Sequence, residues 1–298
     1  AVGDDGVIMY TIDGGDTWQS ATESTDAFLY SLEQNDGVNM FTVGENAEIL
    51  KSEDGGLNWM TQVSAATKDL YAIDTFTNKR AMAVGEDGTV VFTTNNGTVW
   101  NKSTNKTNED LLGVAYMKST EAVVVGEFGK IMKTLDSGET WSNRNSGTDE
   151  DLHDVVFLTS SLGFAVGNNG TVIKTTDSAL TWETVDINGL TSENLLAIDN
   201  LDEDSLIIAG SGKVFISHDA GLTWAEEEFV NNDTFFFGIS YASNDIHYGA
   251  GTDLVSSSTI FKFDSSVAAE EEVVEETVEE VEELTVTSGT LISLECSD

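Results

Sequence analysis

A single cysteine, Cys296, is all the thiol chemistry in the sequence, which excludes an internal disulfide and any cysteine-rich metal site. A lone terminal thiol leaves only a cross-link between two chains. Basic side chains are scarce too: 13 Lys and Arg stand against 53 Asp and Glu, for a net charge of −40. Nucleic acid and anionic membrane both require a basic footprint, so neither is expected as a partner. No apolar run approaches the roughly 20 residues of a membrane-spanning helix; LLGVAYM (111–117) and AVVV (122–125) are among the longest, and the chain is expected to be soluble. Helix signals are nearly absent before residue 268. There is no serine-nucleophile motif, phosphate-cradling loop or Cys/His pair, and His153, His218 and His247 are too scattered to read as a ligand set. The chain opens at Ala1 without Met, which reads as processing or trimming.

What is present is a repeat. The six tryptophans, Trp18, Trp59, Trp100, Trp141, Trp182 and Trp224, are 41, 41, 41, 41 and 42 residues apart. Each closes an octapeptide: TIDGGDTW (11–18), SEDGGLNW (52–59), TTNNGTVW (93–100), TLDSGETW (134–141), TTDSALTW (175–182) and SHDAGLTW (217–224). About fifteen residues before each tryptophan lies a second ladder: AVG (1–3), TVG (42–44), AVG (83–85), VVG (124–126), AVG (165–167) and IAG (208–210), with a seventh copy, GAG, at 249–251. A third follows each octapeptide: LYSL (29–32), LYAI (70–73), LLGV (111–114), LHDV (152–155), LLAI (195–198) and FFGI (236–239).

Each unit therefore reads as four short β-forming segments divided by turn residues. A period near forty with four strands per unit is the pattern of propeller blades. The octapeptide falls between the third and fourth strands. Its acid, Asp13, Asp54, Asp136, Asp177 or Asp219 (Asn95 in the third copy), is expected to accept hydrogen bonds from amides of its own turn. Gly15, Gly56, Gly97, Gly138 and Gly221 would supply positive φ; Ala179 in the fifth copy predicts a distorted turn there. The tryptophans would bury their rings between blades. An acid repeated in every unit suits a scaffold better than a catalytic site.

The octapeptide resembles the Asp-box, or bacterial neuraminidase repeat, S/T-x-D-x-G-x-T-W. The longer unit, as in AVGDDGVIMYTIDGGDTW, is similar to the photosystem II stability and assembly factor family over residues 1 to about 264. The resemblance implies an all-β, seven-bladed propeller of four-stranded antiparallel blades; related domains occur in secreted proteins of non-photosynthetic microbes. Asp-box propellers host sialidases, xyloglucanases, sorting receptors and adaptors. The photosynthetic factors use an arginine-rich patch, whereas this chain has two arginines, Arg80 and Arg144, fewer than the three a sialidase needs. Xyloglucanase-like enzymes pair two propellers across a cleft, and this chain has one.

The expected organisation is a propeller over 1–264, a Glu-rich linker over 265–284 and a strand-like segment over 285–298. Nine of the sixteen residues from Ala269 to Leu284 are Glu; their valines also permit a short amphipathic helix. The final segment is expected to complete the first or last blade, or to cross to a neighbouring molecule as a donated strand. The loops joining strands two and three place Asp4, Glu45, Glu86 and Glu127 at one equivalent position, with Asp69, Asp110 and Asp151 ahead of the inner strands. They read either as solvated turns or as carboxylates at a channel mouth holding a cation, calcium being the candidate, or a basic protein segment; no metal site is assigned. Sequons at Asn96, Asn101, Asn105, Asn169 and Asn232 are glycosylation candidates, which would place the protein outside the cytoplasm. The expectation is a non-enzymatic, extracellular or cell-surface module for protein interaction or assembly, with no cofactor. The alternatives are a carbohydrate-binding or glycoside hydrolase-like propeller and a photosystem II assembly chaperone.

Overall fold

A computed structural model describes all residues except 22–24, 35–36, 105–106, 228–233, 244–245, 253–258, 265–291 and 296–298. It is an all-β propeller of four-stranded antiparallel sheets, with no α-helix among the described residues. Six sheets are complete: blade 1 (29–61), blade 2 (70–102), blade 3 (111–144), blade 4 (152–184), blade 5 (195–227) and blade 6 (235–264 with Ile292–Glu295).

The expected seven blades are thus corrected to six. The unit ahead of blade 1 is not a complete sheet among the described residues. It keeps a two-stranded sheet, Met9–Tyr10 with Gln19–Ser20, and a bridge from Val2 to Ile8. In blade 6 no octapeptide follows the third strand, Thr259–Asp264; the fourth place is filled by Ile292–Glu295, antiparallel to it with Ile260 opposite Leu294. That strand is paired inside its own chain, so its donation to a neighbour has no support here. Residues 265–284, where the linker or helix was expected, lie outside the described residues.

The chain divides into two compact units, 1–198 and 199–298. In the first, the core lies between successive blades. Phe41, Val43 and Ile49 of blade 1 pack with Leu70, Ala83 and Val91 of blade 2. Met82, Val84 and Phe92 of blade 2 pack with Val114, Val124 and Met132 of blade 3. A blade alternates inward and outward side chains on both faces, so each face is buried only by the next copy. In the second unit Ile207, Ala209, Val214 and Ile216 pack with Phe236 and Phe261 in the same way.

With no proline in the chain, turn geometry falls to residues that enter the left-handed region. The loops joining strands two and three carry two such residues in succession: Asp5–Gly6, Asn46–Ala47, Asp87–Gly88, Phe128–Gly129 and Asn169–Gly170. This is the backbone of a type I′ hairpin turn, whose twist matches the flanking strands.

Candidate functional site

The octapeptides form a hydrogen-bonded turn repeated six times, the first five of them at one end of the blades of unit 1 and the sixth in unit 2. In the fourth copy Thr134 Oγ1 accepts from Gly138 N at 3.0 Å and donates to Asp136 Oδ1 at 2.8 Å. Asp136 Oδ1 in turn accepts from Thr140 N at 2.8 Å, and Oδ2 accepts the Thr140 hydroxyl at 2.5 Å. Asp13, Asp54, Asp177 and Asp219 make the same set with their own neighbours. Asn95 accepts from Val99 N at 2.9 Å, a neutral amide oxygen serving where a carboxylate stands elsewhere.

The opening Ser or Thr (Thr11, Ser52, Thr93, Thr134, Thr175, Ser217) also holds this turn, a role the sequence reading missed. Its signal was its presence in every copy, where it served only as an alignment mark. The expected distortion at Ala179 is absent: its φ is 58° and its amide bonds Thr175 Oγ1 at 3.0 Å, as the glycines do in the other copies.

Trp59 and Trp100 are buried, and Trp18, Trp141, Trp182 and Trp224 are half-buried. The Trp100 ring meets Phe41 of the preceding blade edge-on at 5.7 Å. Trp59 Nε1 donates to Gly56 O at 2.9 Å, and Trp141 Nε1 to Gly138 O and Ser103 Oγ, each at 3.1 Å. The octapeptide carboxylates and the Trp59 and Trp141 indoles are thus engaged in holding turns and a blade interface, whereas Trp100 Nε1 and Trp182 Nε1 are buried without a hydrogen-bond partner among the described residues.

The opposite end of unit 1 carries the I′ turns and the starts of the inner strands. Here Asp69, Asp110 and Asp151 reach back one blade: their carboxylates accept the amides of Asn46, Asp87 and Phe128, each at 2.8 Å. These three acids are therefore stitches between blades. Three of the four equivalent turn carboxylates meet neighbours of their own. Glu86 and Asp87 share Lys68 at 2.8 Å each, Glu127 accepts from Asp110 N at 3.2 Å, and Glu45 lies 3.5 Å from Phe28 N. No group of three or more His, Cys, Asp or Glu suited to an ion occurs among the described residues. His153 bonds Asn168 at 2.7 Å, and burial pushes His247 down to about 4.

Between these carboxylates stand aromatic rings. Tyr30 and Tyr71, at equivalent positions in the inner strands of blades 1 and 2, meet edge to face at 5.6 Å. Burial, with Asp69, Glu45 and Asp4 nearby, raises the Tyr30 phenol. Burial, with Asp110, Asp69 and Glu86, pushes Tyr71 up to about 12. Both phenols are thus protonated donors at neutral pH. Phe128 occupies the first left-handed position of its turn at φ 54°, where the other four I′ turns have Asp5, Asn46, Asp87 and Asn169, and is 70% exposed. A bulky residue in this region is strained.

The sequons separate by environment. Asn96 is half-buried, its Nδ2 donating to Asn39 at 3.2 Å. Asn169 is exposed and donates to Glu150 at 2.8 Å. Asn101 is exposed on the outer strand of blade 2. Asn105 and Asn232 lie outside the described residues.

A family model described as "Photosynthesis system II assembly factor YCF48" matches residues 1–107 and 92–230. YCF48 bound to a D1 peptide superposes with a TM-score of 0.67 at 24% identity, over 85% of this chain and 86% of that one. For YCF48 from Cyanidioschyzon merolae the TM-score is 0.68 at 18% identity, over 85% and 88%. A GH74 enzyme of Niastella koreensis gives 0.61 at 16% identity, over 81% of this chain and 46% of the enzyme. At these identities the likenesses show the fold. No curated protein matches the chain.

Proposed function

The chain belongs to the photosynthesis system II assembly factor YCF48 family, and from that premise we propose that it is a non-enzymatic, exported or surface-exposed module that holds a protein partner at the I′-turn end of unit 1. The observation that carries the reading is Phe128, an exposed ring kept in a strained turn at the end where Tyr30 and Tyr71 stand among carboxylates. A YCF48 structure with a bound D1 peptide supports peptide binding as the mode.

The partner's chemistry differs from that of an arginine-patch protein. Arg80 donates to Ser137 Oγ at 2.8 Å and Arg144 to Asn143 O at 2.9 Å, in different blades. The surface charge instead suits a lysine- or arginine-bearing segment whose cations pair with carboxylates and stack on rings. The carbohydrate-active reading rests on the GH74 likeness alone. The octapeptide acids are held ionised by their turns, and the raised acid, Asp199, is half-buried with its carboxylate accepting Tyr241 N at 2.9 Å; neither arrangement supplies an exposed proton donor beside a base.

The test is fluorescence anisotropy with a lysine/arginine-rich peptide, a D1 peptide and an acidic control. The basic peptide should bind, more weakly as salt rises, with at least a fivefold loss in Phe128→Ala. Equal binding of the acidic control, or no effect of the substitution, removes the basic-partner reading. Release of sugar from xyloglucan would establish an enzyme instead.

A further inference from the structure

The sequon at Asn101 has the one acceptor amide, of the three described, that holds nothing in place, and we infer that Asn101 carries an N-linked glycan while Asn96 stays bare. The inference rests on the reading that the protein is exported.

Asn101 opens the two-residue outer strand of blade 2, paired through Phe92 on one side and exposed on the other. Its side-chain amide has no hydrogen-bond partner among the described residues, so a sugar on Nδ2 displaces none of the contacts seen there. At Asn96 the substituent would have to fit at a half-buried amide already bonded to Asn39, in a turn where Asn96 has φ 54° and its Oδ1 is shut off from solvent. At Asn169 a sugar on Nδ2 would disturb the bond to Glu150.

The chemistry requires a lipid-pyrophosphate-linked oligosaccharide as co-substrate. Asn101 Nδ2 bonds the anomeric carbon, the bond from that carbon to the phosphate oxygen breaks, the lipid pyrophosphate leaves with the electron pair, and Nδ2 gives up one proton. The sequon hydroxyl, Ser103 Oγ, accepts from Trp141 Nε1 at 3.1 Å in the folded protein. Transfer therefore precedes the packing of blade 3 on blade 2. Once in place, the glycan covers the outer edge of blade 2 beside the half-exposed Val99, a strand edge that would otherwise be open to pairing.

The test is peptide mass spectrometry on native protein recovered separately from exterior and cytosolic fractions, alongside Asn101→Gln and Asn96→Gln. The inference expects exterior protein with the mass of one glycan on the peptide containing Asn101, lost in Asn101→Gln and retained in Asn96→Gln. Exterior protein unmodified at Asn101, or a glycan at Asn96, overturns the inference and leaves the export reading standing. Protein found only in the cytosol and unmodified overturns both.

Discussion

The octapeptide carboxylates act through hydrogen bonds made within eight residues, and their chemistry shows it. Asp13, Asp177 and Asp219 are each lowered to about 2, first by the hydroxyl of Thr17, Thr181 or Thr223 and then by the amide of the same residue. Each folded value lies below the unfolded one of about 3.9. The stabilisation is thus complete above the unfolded pKa, declines as pH falls through the window, and is gone below the folded value. The urea midpoint is expected to drop between about pH 4 and about pH 2, and Asp219→Asn should flatten that drop, since Asn95 already serves as a neutral acceptor. A carboxyl-carbon NMR titration placing Asp219 at the ordinary aspartate value would refute this account.

At the scale of the element, the Gly ladder has a cause unrelated to φ. Gly126 is extended at φ −177°, but a Cβ there would lie 2.0 Å from Asp110 O, and at Gly44, Gly85 and Gly167 the equivalent distance to the lead-in carbonyl is 1.9, 1.9 and 2.0 Å. The start of the inner strand crosses over the end of the second, and backbone cannot move aside. Gly126→Ala is expected to cost about 3 kcal/mol, the upper end of overpacking, by urea unfolding. Gly3, the same ladder position in the incomplete unit ahead of blade 1, has nothing within 4 Å, so Gly3→Ala should change the midpoint little. Similar losses at both sites would show that the crossing is not what selects glycine. The inner strands are also tied one to the next: Asp74 accepts Tyr116 N at 2.5 Å, and Asp154 accepts Ile198 N at 3.0 Å.

For the whole molecule, the last sheet depends on a strand far along the chain. Ile292–Glu295 covers the edge of Thr259–Asp264, and open edges invite association. Deleting residues 285–298 should lower the melting temperature and produce association that grows with protein concentration, read by calorimetry and light scattering. A truncated chain that melts unchanged and stays monodisperse would show that the strand adds nothing to blade 6.

The sequence by itself determined the fold class, the period and the strand places, because an interface between identical blades requires the same residues at each repeat. The octapeptide was legible for the same reason: its hydrogen bonds span no more than four positions, so spacing encodes them. The blade count was overstated because a ladder reports second strands, and a unit forming only a two-stranded sheet shows the same ladder as a complete one. Only the tertiary structure decided which carboxylates are spent as stitches, because Asp69, Asp110 and Asp151 act on amides 23 residues back in the preceding blade. It also set Phe128 at an exposed, strained position and left Asn101 free while engaging Asn96. Partners brought together by blade packing leave no short-range spacing in the chain, and burial depends on what packs alongside.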